Sequence, residues 1–162
     1  MTPSGDFFGL IEALPLAVAM RKSLWLYPIV EITHILGFVT LVGSVAMLDL
    51  RVLGLSRTMS VTALSRHTQP WTLGALVLIV PSGLLMFSAH ATDFVSNTAF
   101  LAKMMLLVVA GVNAAWFRMG SYRSVGTWDA GVNAPMAARC SAGLSLLVWG
   151  SVIGCGRLLA YV

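Results

Sequence analysis

Charge is what this chain has least of. Asp, Glu, Lys and Arg make up only 10% of its 162 residues, while hydrophobic residues make up 58% and the mean hydropathy is +0.88. A soluble domain carries about a quarter charged residues, so this composition cannot supply a water-facing surface. Other absences narrow the chemistry. Cysteine occurs only at Cys140 and Cys155, about 22 Å apart along one predicted helix, which excludes an intrahelical disulfide. Neither CxxC nor CxxCH occurs, which argues against a zinc knuckle and against covalently attached c-type haem. There is no HExxH, no phosphate-binding glycine loop and no Ser-His-Asp set within one predicted layer, so the chain is not expected to be an enzyme on its own. Period-2 alternation is missing too, which excludes a lipid-facing barrel.

What is present is four apolar windows: Ser23–Leu48, Pro70–Ala89, Phe100–Phe117 and Ala138–Tyr161. Each approaches the ~20 residues that cross a ~30 Å hydrocarbon core. The expected fold is all-α, a single-domain integral membrane four-helix bundle running up-down-up-down. Residues 4–20 form a fifth apolar stretch, too short to span and interrupted by Glu12 and Pro15. It is expected to be an amphipathic helix lying in the interface, the lipid bilayer being the first partner. Its basic pair, Arg21 and Lys22, follows the apolar run, the reverse of a secretory signal.

The net charge of +4 belongs to the loops and implies no nucleic-acid partner. Arg51, Arg57, Arg66, Arg118, Arg123 and Arg139 fall at one end of the bundle. At the other are Arg21, Lys22, Lys103 and Arg157, set against Asp6, Glu12, Glu31 and Asp93. The excess of basic residues at the first end predicts that both termini lie outside.

Within the first window, "VEITHILGFVTLVG" places Glu31 and His34 one helical turn apart in an otherwise apolar run. Ionisable groups at this depth are costly and mark function or pairing. One reading gives them anchoring roles: Lys103 and Arg157 snorkel, and Glu31 is buried against His34 or Arg157. The sharper reading is a b-type haem, with His34 and then His90 as metal ligands and Glu31 orienting the site. Gly37 and Gly83 would leave room for the porphyrin, and Lys103 or Arg157 would meet its propionates. Two further readings are copper handling through Met86 and His90, and proton relay through Glu31 and His34. The Glu-x-x-His spacing also occurs in di-iron bundles, which need more carboxylates than this chain has. His67 lies toward the opposite face and cannot share a haem with His34. Thr33, Gly37, Thr40 and Ser44 on the first helix, and Gly143, Gly150 and Gly154 on the fourth, form small-residue stripes expected to pack against neighbouring helices.

The run "LYPIVEITHILGFVTLVGSVAMLDLRVLG", with "PWTLG", "NTAF-LAK" and "GVN", resembles a family of small bacterial four-helix membrane proteins to which no activity is assigned. An early-helix histidine beside glycines is also similar to four-helix cytochrome b and copper-resistance membrane proteins. The resemblance implies the fold and a bacterial inner-membrane location, with the outward termini periplasmic; the polar cluster adds the expectation of a cofactor-carrying or anchoring membrane subunit of a redox or electron-transfer system. Its candidate partners are a membrane protein, a second copy of the chain, and a quinone. A purely structural membrane anchor or accessory subunit is the alternative.

Overall fold

The structure, a computed structural model, describes residues 3–159 and 161. All the regular structure among these residues is helical: α1 (Pro3–Glu12), α2 (Pro15–Lys22), α3 (Leu26–Leu53), α4 (Val61–Ala89), α5 (Ala91–Ser96), α6 (Thr98–Met119), a 3-10 turn at Ser121–Thr127, and α7 (Met136–Leu158). Four of them, α3, α4, α6 and α7, are long and apolar enough to cross a membrane. The expected four-helix membrane protein is what is found. Two short helices break at Pro15 where a single interfacial one was expected. The Asp6 side chain lies outside the described residues.

The helix ends are set by local chemistry. Gly54 ends α3 in the left-handed region at φ +116°, its amide donating to Arg51 and Leu50 carbonyls, a conformation glycine adopts without Cβ strain. Ser60 caps α4 by accepting the Ala63 amide at 3.0 Å, and Asn97 caps α6 by accepting those of Ala99 and Phe100; both are favoured N-cap residues. These caps correct two expected boundaries. Asp49 and Arg51 lie inside α3 rather than closing it. The second span starts nine residues before Pro70, because Ser60 supplies the cap. Pro70 leaves only the Arg66 carbonyl without its helical partner.

The membrane helices pack in the order α4, α3, α7, α6, with α3 and α7 at the centre. At the end where α3 begins and α7 finishes, here the terminal end, α4 and α6 meet through the stacked rings of Phe87, Phe94 and Phe100. Met20, Val30 and Ala89 form a buried cluster there, with Met86 packed against it. At the opposite, loop end, Val52, Val61, Trp128 and Ala138 form another. Between them Ala110, Val148 and Val152 join α6 to α7, with Phe38 and Trp149 against them.

Candidate functional site

The α3–α4 seam carries the polar pair closest to the expected site. His34 is half-buried, and its Nδ1 lies 2.9 Å from the Ser82 hydroxyl on α4. That hydroxyl has one hydrogen, and the Leu78 carbonyl stands 2.6 Å away to receive it. With the Ser82 hydrogen on that carbonyl, the fitting tautomer has Nδ1 carrying the ring hydrogen and donating it to Ser82 Oγ, which makes Nε2 the acceptor nitrogen of the ring. Ser82 can approach because α4 presents Gly83 next to it. A Cβ on Gly83 would stand 3.1 Å from His34 Cε1, and one on Gly37 would stand 2.9 Å from Ile79. Both glycines are thus filled by the seam itself: one by the imidazole, the other by α4 side chains. Small residues at this crossing let the helices approach closely enough for the hydrogen bond.

The other expected residues go elsewhere. Glu31 is exposed and has no hydrogen bond or ion pair among the described residues, which corrects the expectation of a buried, paired carboxylate. The reason is rotational. The seam runs through Val30, His34, Gly37 and Leu41, and Glu31 follows Val30 by 100° around the helix, while His34 is drawn toward α4 by Ser82. His90 ends α4, its ring edge-on to Tyr27 at 5.8 Å. It stands eight residues beyond Ser82, about 12 Å further along the helix. Lys103 is half-buried and reaches across to the last turn of α7, its Nζ 3.9 Å from the place a Cβ on Gly156 would take. Arg157 bonds Tyr161 Oη and covers that ring at 4.8 Å.

A haem held by His34 and His90 needs both imidazoles at one level, on opposite sides of a flat space. The histidines stand about 12 Å apart in depth, and the glycines meant to open that space are occupied. The residues do not fit a two-histidine haem. Among the described residues no group of three or more His, Cys, Asp or Glu side chains comes together for a metal ion, and Met86 is a packing residue.

Sequence reasoning missed a second polar constellation. At the loop end Arg51 is 2% exposed and donates to the carbonyls of Met59, Arg57 and Asp129. The Asp129 carboxylate accepts the Ser60 hydroxyl and the Thr62 amide, each at 2.7 Å. These two bonds hold its pKa below the usual carboxylate range. Arg51 thus ties the α3–α4 connection to the loop before α7, and Asp129 caps α4 a second time. The signal available in the sequence was a Trp-Asp pair, Trp128 and Asp129, within a Gly-rich loop. Two further pairs join helices. Asn113 and Ser141 exchange hydrogen bonds between α6 and α7, and Asp49 bonds Ser145 on α7 while its Oδ2 is buried without a partner.

The glycine stripe of α7 also differs from expectation. A Cβ on Gly143, Gly150 or Gly154 would meet nothing within 4 Å, so these glycines pack against no helix of this chain, unlike Gly37.

No curated protein and no solved structure matches the chain, which leaves the likeness to cytochrome b and copper-resistance membrane proteins without support. A family profile does match, over residues 26–162, from the first residue of α3 onward. On that match the chain belongs to DUF6644, a family of unknown function.

Proposed function

We propose that this protein is a membrane-embedded accessory subunit, without catalysis of its own, whose uncovered helix faces pack against partner helices in the bacterial inner membrane. One observation carries the reading: only 6% of the most apolar window of α6 is buried within the chain, and beside it the α7 glycines are open. Small residues on a lipid-facing helix favour close van der Waals approach by another helix. The test is native mass spectrometry of the protein released from membranes in lipid-containing particles. A mass above that of the 17.3 kDa chain is expected. It should be lost in Gly154→Leu and kept in Gly43→Leu, which changes an equally open glycine on α3. A monomer throughout would overturn the proposal.

A second reading keeps the electron-transfer role and is favoured by the acceptor nitrogen Nε2 of His34. An imidazole whose Nδ1–H is held by a fixed acceptor is oriented as metal-ligating histidines are. This would be a one-histidine haem site, without His90 and with Glu31 as no more than a nearby exposed charge. The visible spectrum of protein purified from haem-replete cells separates the readings. The accessory subunit is expected to be colourless, whereas a Soret band lost in His34→Ala and kept in His90→Ala would put the redox reading first.

A further inference from the structure

A cavity separate from the His34 seam opens at the terminal end, where α2 finishes and α3 begins. It has a volume of about 410 Å³ and is lined by Arg21, Lys22, Ser23, Tyr27 and His90, with Met20, Leu24 and Pro28 below them. Its main cation is held in place. Arg21 donates from Nη1 to the Ala89 carbonyl at 2.8 Å and from Nη2 to the Glu12 carbonyl at 2.6 Å. Those bonds use two of the five guanidinium hydrogens, so three remain on a charge that is already positioned. Lys22 is exposed and adds a second cation.

Among the described residues no acid lines this cavity. Two carboxylates stand at its edge: Glu12 accepts the Thr92 amide at 2.7 Å and interacts electrostatically with Arg21 and His90, and Glu31 lies one turn beyond Tyr27. Within the lining the charge is positive, from the held guanidinium of Arg21 and the exposed ammonium of Lys22. The surface below is apolar and faces lipid, since Leu24, Trp25 and Ile32 are 81%, 70% and 57% exposed. Pro28 and Ile32 lie four residues apart on α3, one a turn below the other on the same side of the helix, and the exposed Leu24 stands in the turn just before α3. A cationic pocket at the aromatic belt above an apolar stripe has the two-part chemistry of a lipid with an anionic headgroup.

We propose that this cavity binds one anionic phospholipid, with its phosphate on Arg21 and Lys22 and an acyl chain along Leu24, Pro28 and Ile32. A zwitterionic lipid would bring its ammonium to the same two cations and is disfavoured. The proposal is independent of the packing role above and survives if the protein proves monomeric.

The experiment uses the full chain, delipidated in mild detergent, with dioctanoyl phosphatidylglycerol or dioctanoyl phosphatidylcholine titrated in and bound lipid counted by native mass spectrometry. One phosphatidylglycerol is expected to bind at concentrations where phosphatidylcholine does not. Lys22 forms no hydrogen bond or ion pair among the described residues, so Lys22→Gln tests the site without disturbing the fold. It should weaken phosphatidylglycerol binding about fivefold, Lys22→Arg should restore it, and Arg139→Gln at the opposite end should leave it unchanged. Equal binding of the two lipids, or equal losses in Lys22→Gln and Arg139→Gln, would overturn the proposal. Displacement of the lipid by millimolar inorganic phosphate would also overturn it, by assigning the pocket to a free anion.

Discussion

Arg51 shows how a single residue holds two connections that hydropathy alone would leave as loops. Its guanidinium is 2% exposed and meets three backbone carbonyls, none of which has a helical partner. Two of these carbonyls keep another partner, since that of Arg57 also accepts the Gly131 amide at 2.8 Å and that of Asp129 the Val61 amide at 3.0 Å; removing the side chain leaves the Met59 carbonyl to water and opens the space the guanidinium filled, at a cost of about 1–3 kcal/mol. Arg51→Ala is therefore expected to destabilise the protein by roughly 1–3 kcal/mol. Arg51→Lys should recover only part of that loss, because an ammonium lacks the planar fork that spans several acceptors. Thermal unfolding in detergent, followed by far-ultraviolet circular dichroism, measures both. An unchanged midpoint in Arg51→Ala would show that the clamp contributes nothing. His34 illustrates the opposite situation: its residue type and depth suggest a ligand, but its Nδ1–H is used to join two helices.

Among the elements, the two ends of the bundle are each docked by a carboxylate outside the spans. Asp129 is held by the Ser60 hydroxyl and the Thr62 amide, and Glu12 chiefly by the Thr92 amide; both have pKa values lowered from the ordinary carboxylate range. The sign follows from linkage. A carboxyl whose folded pKa is depressed contributes stability that is fully present above its unfolded pKa and disappears as pH falls through the folded one. Docking of the loop before α7, and of α1 onto α5, should hold at neutral pH and loosen below about pH 4, while the apolar spans persist. Trp128 reports on the first of these because it is 2% exposed beside Asp129. In a chain whose other four tryptophans are phenylalanine, its emission should shift to the red on acidification. Asp129→Asn should show much of that shift at neutral pH. Emission that stays constant on acidification, with no difference between Asp129→Asn and the native carboxylate at neutral pH, would refute the assignment.

For the molecule as a whole, the contacts between the α3–α4 connection and the loop before α7 place Arg51, Arg57, Arg66, Arg118, Arg123 and Arg139 at one end. On the positive-inside rule we propose that this end lies in the cytoplasm. A cysteine introduced at Gly126, on an exposed turn, should resist an impermeant thiol reagent in intact cells and react after permeabilisation. The background is a chain with Cys140 and Cys155 replaced by alanine. Labelling of intact cells would reverse the orientation. The row order α4, α3, α7, α6 leaves both outer helices facing lipid or partners, which is why oligomeric state is the measurement that most directly tests the proposed function.

The sequence alone determined the membrane class, the number of spans and their alternation, because crossing hydrocarbon demands ~20 apolar residues whatever the neighbours are. It also marked Glu31, His34, His90 and Lys103 as unusual for their depth. It could not decide what they meet. Whether a residue on a helix faces lipid, a neighbour or an opening depends on how neighbouring helices are rotated and ordered. In a chain apolar nearly all round, the hydrophobic pattern carries little of that information. Tertiary packing turned Glu31 outward, separated His90 from His34, filled Gly37 and Gly83 while leaving Gly150 and Gly154 open, and drew Arg51 inward against carbonyls of the adjoining connection and of the distant loop before α7. Each outcome rests on contacts between residues far apart in the chain, and only the assembled helices bring those together.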